Sequence, residues 1–315
     1  MLAGLLCVGV SVFSLDGSHG ATATGSTVTA ATIVSATAAA PAERVLDDLG
    51  NAVILARPAR RIVSLAPHAT ELLFAAGGGA RIVGTVQYSD FPAAAKAIAQ
   101  VGDSSRLDIE RIIALQPDLV VAWPQASAQR ALASLKQRGI AVFYSDPHRL
   151  DQIADSVERL GILLGTQPQA TTSASALRRD LAALTTRYAQ RPPVRVFYQI
   201  WDQPLLTLNG SNIVSDAIRV CGGQNIFAAL PVSAPAVSIE AVLQQDPEVI
   251  LGTGEHSPAD GGVNMWKRYG VLTAVRRHNL MTIDGNLINR PGPRMIAGAA
   301  ALCAALEQAR AQRAN

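Results

Sequence analysis

Over residues 166–191 the chain reads TQPQATTSASALRRDLAALTTRYAQR, and its apolar side chains keep to one helical face. Ala170, Ala174, Leu177, Leu181, Leu184 and Tyr188 recur at alternating four- and three-residue steps, the period of an amphipathic helix. Pro168 suits a first turn, and Pro192-Pro193 prevents continuation. A helix over 166–191 is roughly 35 Å long at the α-helical rise per residue. It is expected to act as a rigid strut between two lobes.

The two flanks of that segment repeat one plan. IERIIALQPDLVV at 109–121 and IEAVLQQDPEVIL at 239–251 both open on Ile-Glu, place a proline seven residues after the Glu, and pass through an acidic residue into an apolar run. A short helix ending before proline and feeding a buried strand is the physical reading of each. In the first flank, residues 44–55 read as a hairpin and 61–65 as a buried strand. Residues 66–68 follow as a tight loop and 70–76 as a helix closed by the flexible cap Gly77-Gly78-Gly79. Further strands are expected at 82–84, 119–122 and 140–143, with a helix over 127–138. In the second flank, strands are expected at 194–199, 205–208, 249–251 and 281–283, with helices at 211–220 and 294–310. The fold class is therefore α/β: two Rossmann-like lobes, 41–165 and 192–315, joined by the long helix 166–191. Ligands of open α/β sheets sit beyond the carboxyl ends of the strands, so the cleft between the lobes is the expected site.

Composition adds the compartment. Lys and Arg number 27 against 24 Asp and Glu, a formal net charge of +3 without a basic cluster, which excludes a nucleic-acid footprint. Residues 1–15 are almost unbrokenly apolar and run into an Ala/Thr/Ser-rich stretch ending Ala38-Ala39-Ala40. That pattern predicts an export leader over 1–40, cleaved near Ala40, although a positive n-region is missing. Cys7 lacks the small preceding residue of a lipidation site. Beyond the leader remain Cys221 and Cys303, which in an exported chain suggest a disulfide, with two buried thiols as the alternative.

Chemistry is sparse. The chain has no G-x-S-x-G elbow, phosphate-binding loop, dinucleotide fingerprint or H-E-x-x-H pair. Polar and aromatic residues instead gather at strand ends: Tyr88-Ser89-Asp90, Trp123, Ile200-Trp201 and Asn289-Arg290. Two tryptophans at corresponding strand ends suit a flat apolar ligand, with core capping the plainer reading. Arg290 in a Pro/Gly-fixed loop is placed for recognition rather than local pairing. His68 is either a metal ligand or a hydrogen-bonded scaffold residue.

Five segments taken together carry a resemblance: RIVSLAPHATELLFAAG, QYSDFP, LDIERIIALQPDLVVAW, CGGQNIF and NRPGPR. Ordered as they are over most of residues 44–306, they resemble the periplasmic binding proteins whose two α/β lobes are joined by a single helix, and within them the cobalamin binders of ABC importers. Heme and ferric-siderophore binders of the same family are the alternative, and a cleft enzyme such as a tetrapyrrole metal chelatase is a remote one.

The resemblance implies a non-catalytic, monomeric carrier in the periplasm that takes up a corrinoid as cargo, with no cofactor or metal of its own. It implies that Tyr88 and Trp123 meet the ligand from one lobe and Ile200, Trp201 and Arg290 from the other; His68 and Asp90 are expected to join them as ligand-binding residues. Glu110 and Glu240 would dock on the two permease subunits of the transporter, and Cys221 and Cys303 would form the family's disulfide. A twofold-symmetric partner suits two equivalent carboxylates. The chain departs from the cobalamin binders where Gly102-Asp103-Ser104-Ser105 and Ser233-Ala234-Pro235 stand in place of tryptophan-bearing loops, and where Asn289 replaces an acidic residue.

Overall fold

The computed structural model describes residues 43–103, 106–254 and 261–314. The expected leader over 1–40, with Cys7 and the cleavage point at Ala40, lies outside the described residues, as do Ser104 and Ser105. No helix among the described residues is long and apolar enough to cross a membrane.

A hairpin of β1 (Glu43–Leu46) and β2 (Ala52–Leu55) opens the first lobe, its turn closed by Asp47, whose carboxylate accepts from the backbone of Leu49 and Asn51. The chain then runs through β3 (Ile62–Ser64), α1 (Pro67–Ala75), β4 (Ile82–Gly84), α2 (Ile109–Ala114), β5 (Leu119–Ala122), α3 (Gln129–Gln137), β6 (Ala141–Tyr144) and α4 (Leu150–Leu164). Helix α5 (Gln167–Tyr188) leads to the second lobe. There follow β7 (Val194–Gln199), β8 (Trp201–Asp202), β9 (Leu205–Leu206), α6 (Ile213–Val220), β10 (Gly223–Asn225), α7 (Ile239–Gln245), β11 (Val249–Thr253), α8 (Thr273–Arg276), β12 (Leu280–Ile283), α9 (Gly285–Ile288) and α10 (Met295–Ala311).

Each lobe holds a four-stranded parallel sheet, ordered β4-β3-β5-β6 in one and β10-β7-β11-β12 in the other. The orders correspond strand for strand, so the repeat seen in the sequence is a repeat of architecture. The repeated motifs become α2 with β5 and α7 with β11. Asp108 caps α2 by accepting from the Arg111 backbone N–H, and Ser238 caps α7 by accepting from that of Ala241. Caps of this kind are worth about 1 kcal/mol.

Strand periodicity sends alternate residues into different cores. Leu119 and Val121 of β5 join a core that also contains Val194, Val196 and Tyr198 of β7, so one apolar body runs through both lobes. Val120 and Ala122 face a separate cluster under α2 and α3, and Phe197 and Ile250 a third with Trp266. Helix α5 packs lengthwise on α4, with Ala170 and Ala174 buried and Leu177, Leu181 and Leu184 half-buried against the shared core. Gly161 makes this possible, because a Cβ there would lie 2.2 Å from that of Ala170. The connecting helix is thus buttressed along its length rather than free-standing.

Three expectations need correction, and one strand went unread. Residues 66–68 are not a loop: Pro67 opens α1, its fixed φ already helical while Ala66 stays extended. Gly77-Gly78-Gly79 is a close-packed corner, since added Cβ atoms would meet Gln169, Leu164 and Phe74 at 2.5, 2.7 and 2.4 Å. The run 205–208 does not join the main sheet, because only Leu205 and Leu206 pair, in a short hairpin with β8. The edge of that sheet is β10, whose Gly-Gln-Asn sequence carries no apolar period.

Candidate functional site

The carboxyl ends of both sheets open into two adjoining cavities of about 610 and 580 Å³. Pro67, Tyr88, Ile200, Asn289 and Arg290 line both and so form the divide between them. The first cavity is completed chiefly by the second lobe, with Gln199, Trp201, Asp202 and Asn286 on its walls. The other is more apolar and carries Trp123, His68, Leu208, Ile213 and Val214, with Asp146 and His148 at its edge.

Tyr88 is 65% exposed and holds a left-handed backbone, φ 66°. A tyrosine in that region costs about 1–3 kcal/mol of strain, and such outliers cluster at binding sites. Arg290 reaches across from the second lobe, its Nη1 2.7 Å from Asp90 Oδ1. Burial acts to raise the Asp90 carboxyl, but the Arg290 hydrogen bond and charge outweigh it and hold it below its ordinary value. Asn289, where an acid was expected, accepts from the Tyr198 hydroxyl at 2.7 Å. Burial without a charge partner pushes the Tyr198 phenol up.

The two tryptophans do not face one another across a single space. Of these two cavities Trp123, 42% exposed, lines the more apolar one, and it donates its indole N–H to Asp146 Oδ1 at 2.9 Å. Trp201, 51% exposed, lines only the other and donates to the Gln203 carbonyl at 2.9 Å. The third, Trp266, is core, donating to Gln199 Oε1 at 2.6 Å.

His68 is buried edge-on to Trp123, ring centroids 6.2 Å apart, with Nε2 3.2 Å from the Ser145 carbonyl oxygen. A carbonyl only accepts, so Nε2 carries the proton. Desolvation lowers its pKa from 6.5 to about 4, against the Ser145 hydrogen bond and the Asp146 and Asp48 charges, which act to raise it. A base with a depressed native pKa binds its proton more readily when unfolded, so stability present above pH 6.5 is lost as pH falls toward 4. The expected loss is about 3 kcal/mol. Urea unfolding at neutral and acid pH checks this: His68→Phe should remove that part of the slope, and an unchanged slope would reject it.

Sequence reading missed Asp146 and His148, although both follow an expected strand and the strand-end rule that found Trp123 would have found them. It also missed the ion pair under the divide, in which Arg294 grips Glu71 of α1 through Nε and Nη2 at 3.0 and 2.7 Å. Nothing in the sequence marks a helix-interior Glu for that partner. Among the described residues, no group of three or more His, Cys, Asp or Glu is placed to hold a metal ion.

Glu110 and Glu240 are exposed, each in the second position of its short helix. Hydrogen bonds from its own backbone and from Ser238 hold the Glu240 carboxyl below its ordinary value. The Cys221 and Cys303 sulfurs are joined, with Cα atoms 4.7 Å apart, tying the end of α6 to the middle of α10.

The family profile described as periplasmic binding protein matches residues 62–287. The chain belongs to the periplasmic binding proteins. Among this family, a vitamin B12-binding protein of Vibrio cholerae serotype O1 is 39% identical over 256 residues, spanning 81% of this chain and 92% of the relative. The crystal structure of the periplasmic vitamin B12 binding protein BtuF of Vibrio cholerae superposes with a TM-score of 0.75 at 38% identity, covering 80% of this chain and 98% of that one. The periplasmic heme-binding protein RhuT of Roseiflexus sp. RS-1 aligns with a TM-score of 0.71 at 25% identity, over 79% and 98%. This periplasmic binding protein thus shares the two-lobed architecture of these relatives.

Proposed function

We propose that this protein captures a corrinoid, cobalamin itself, in the cleft between its lobes and delivers it to an ABC importer from the periplasmic side. It binds and hands over its cargo without transforming it. The observation that carries this reading is the pair of adjoining cavities, each within the roughly 300–1,000 Å³ of a drug-sized ligand site, meeting at Tyr88 and Arg290. A cargo filling both must be larger than an ordinary metabolite, and likeness to a vitamin B12-binding protein over 92% of its length supports a corrinoid. In this reading the lobes divide at 165/166 and 191/192. Tyr88, Trp123, Ile200, Trp201 and Arg290 contact the cargo, Asp90 orients Arg290, and His68 supports Trp123 from beneath.

Calorimetric titration of the purified protein with cyanocobalamin tests the cargo. One-to-one binding at micromolar affinity or tighter, about −8 kcal/mol, is the expected result. Hemin binding with silent corrinoids would transfer the cleft to an iron ring.

Glu110 and Glu240 are proposed to meet basic residues on the two permease subunits, where paired charges set register and encounter rate. Glu110→Arg combined with Glu240→Arg should leave cargo affinity unchanged and reduce transport in reconstituted vesicles to background. Undiminished uptake would reject the docking role.

A further inference from the structure

We propose that His148 is a proton-operated latch between the lobes: its charged ring ties Asp146 of one lobe to the Ser211 carbonyl of the other, and the cleft then holds cargo more tightly. This concerns regulation of the cleft and rests on reading it as the cargo site. His148 follows β6 and lines both the more apolar cavity and a neighbouring groove walled by Arg149, Gly210, Ser211 and Asp216. Among the described residues it is the one that lines both, so its ring is the partition between them.

The two ring nitrogens meet two acceptors. Nδ1 lies 3.0 Å from the Ser211 carbonyl oxygen, and Nε2 lies 3.4 Å from Asp146 Oδ2. A neutral imidazole has a single N–H, so either tautomer sets a lone pair against an oxygen. The imidazolium carries two N–H groups and answers both.

The surrounding charges leave this place to the histidine. Asp151 pairs with Arg149, Asp48 of the hairpin with Arg159, and Asp216 of α6 with Arg219, while Arg290 is taken by Asp90. Among the described residues, the ion-pair partner of Asp146 is His148. His68 of α1 is close by, but desolvation lowers its pKa to about 4, so it stays neutral where histidines ordinarily titrate. Asp216 also accepts from the Leu150 backbone N–H at 2.9 Å, a standing bond between the lobes that keeps Ser211 within reach of the ring. Loss of the proton frees one end of the latch and loosens the partition. Because the other oxygen of Asp146 holds the Trp123 indole, the proton also helps to set that aromatic wall, and a wall set beforehand binds more tightly.

Calorimetric titration with cyanocobalamin, whose own groups do not titrate in this range, reads the latch in two ways. From about pH 5.5 to about pH 8 the dissociation constant should rise about fourfold, the size an exposed ion pair supports. Near about pH 6.5, paired runs in buffers of different ionisation enthalpy should show about 0.3 of a proton taken up per cargo bound, the linked counterpart of that change. His148→Gln should abolish both the slope and the uptake. Asp146→Asn should abolish them for a different reason: its amide N–H answers the Nε2 lone pair of the neutral ring, so affinity should no longer fall toward alkaline pH. A level wild-type constant without proton uptake, or a slope that survives His148→Gln, would overturn the latch and leave the cargo reading standing. Silence of every corrinoid would overturn that reading, and the latch with it.

Discussion

Replacing both Cys221 and Cys303 with alanine is expected to lower stability by about 4 kcal/mol. The bond closes a sequence separation of 82 residues, and on the chain-entropy account closing a loop of that size removes about 4 kcal/mol of loop-closure entropy from the unfolded state. Both cysteines are fully buried, Cys221 at the end of α6 and Cys303 within α10, and neither lines either cavity. Loss of the bond should therefore move the urea midpoint sharply while leaving cargo affinity intact in the population that remains folded. A midpoint shift worth less than about 1 kcal/mol would mean that the unfolded chain is already compact around these helices.

Arg294→Met is expected to cost about 3 kcal/mol or more, because it strands the Glu71 carboxylate. That side chain is only 2% exposed, and Arg294 supplies both of its charge-assisted hydrogen bonds while stacking over Phe91 at 4.1 Å. Arg290 Nη1 lies 3.9 Å from the same carboxylate and can soften the loss by leaving Asp90. Movement of Arg290 toward Glu71 would take a guanidinium out of the cleft, so the substitution should weaken cargo binding as well as folding. The double variant Glu71→Gln, Arg294→Met removes both charges and should be more stable than Arg294→Met alone by over about 1 kcal/mol. Equal stability of the two would show that the arginine contributes packing rather than charge.

Legibility in the sequence followed how far apart the interacting residues lie. Strands β5 and β11 announce themselves because each opens on a continuous apolar run, β7 is legible from its β-branched and aromatic residues, and the Ile-Glu repeat betrays the correspondence of the lobes. Strand β10 could not be read, since its pairing is imposed by the neighbouring β7 rather than by its own side chains. Tyr88, Trp123, Ile200, Trp201 and Arg290 are found by looking beyond the carboxyl ends of strands, and the structure sets each on a cavity wall, Arg290 after the intervening helix α9. Their partners were not legible. Glu71 and Arg294 are 223 residues apart, and only the folded chain makes one cluster of them. The separation of Trp123 from Trp201 by the Tyr88 and Arg290 divide is likewise a fact of lobe geometry that strand-end position does not encode.

The apolar body shared by the lobes bears on how such binders diversify. Because residues of β5 and β7 belong to one core, closed over by α4 and α5, neither lobe carries a finished surface toward the other. A chimera that exchanged second lobes between two members of the family at the connecting helix would cut through a packed interior, mismatching it on both sides. Lineages can thus change cargo by redrawing the loops at the strand ends, where substitutions leave the interior untouched, far more readily than by recombining halves.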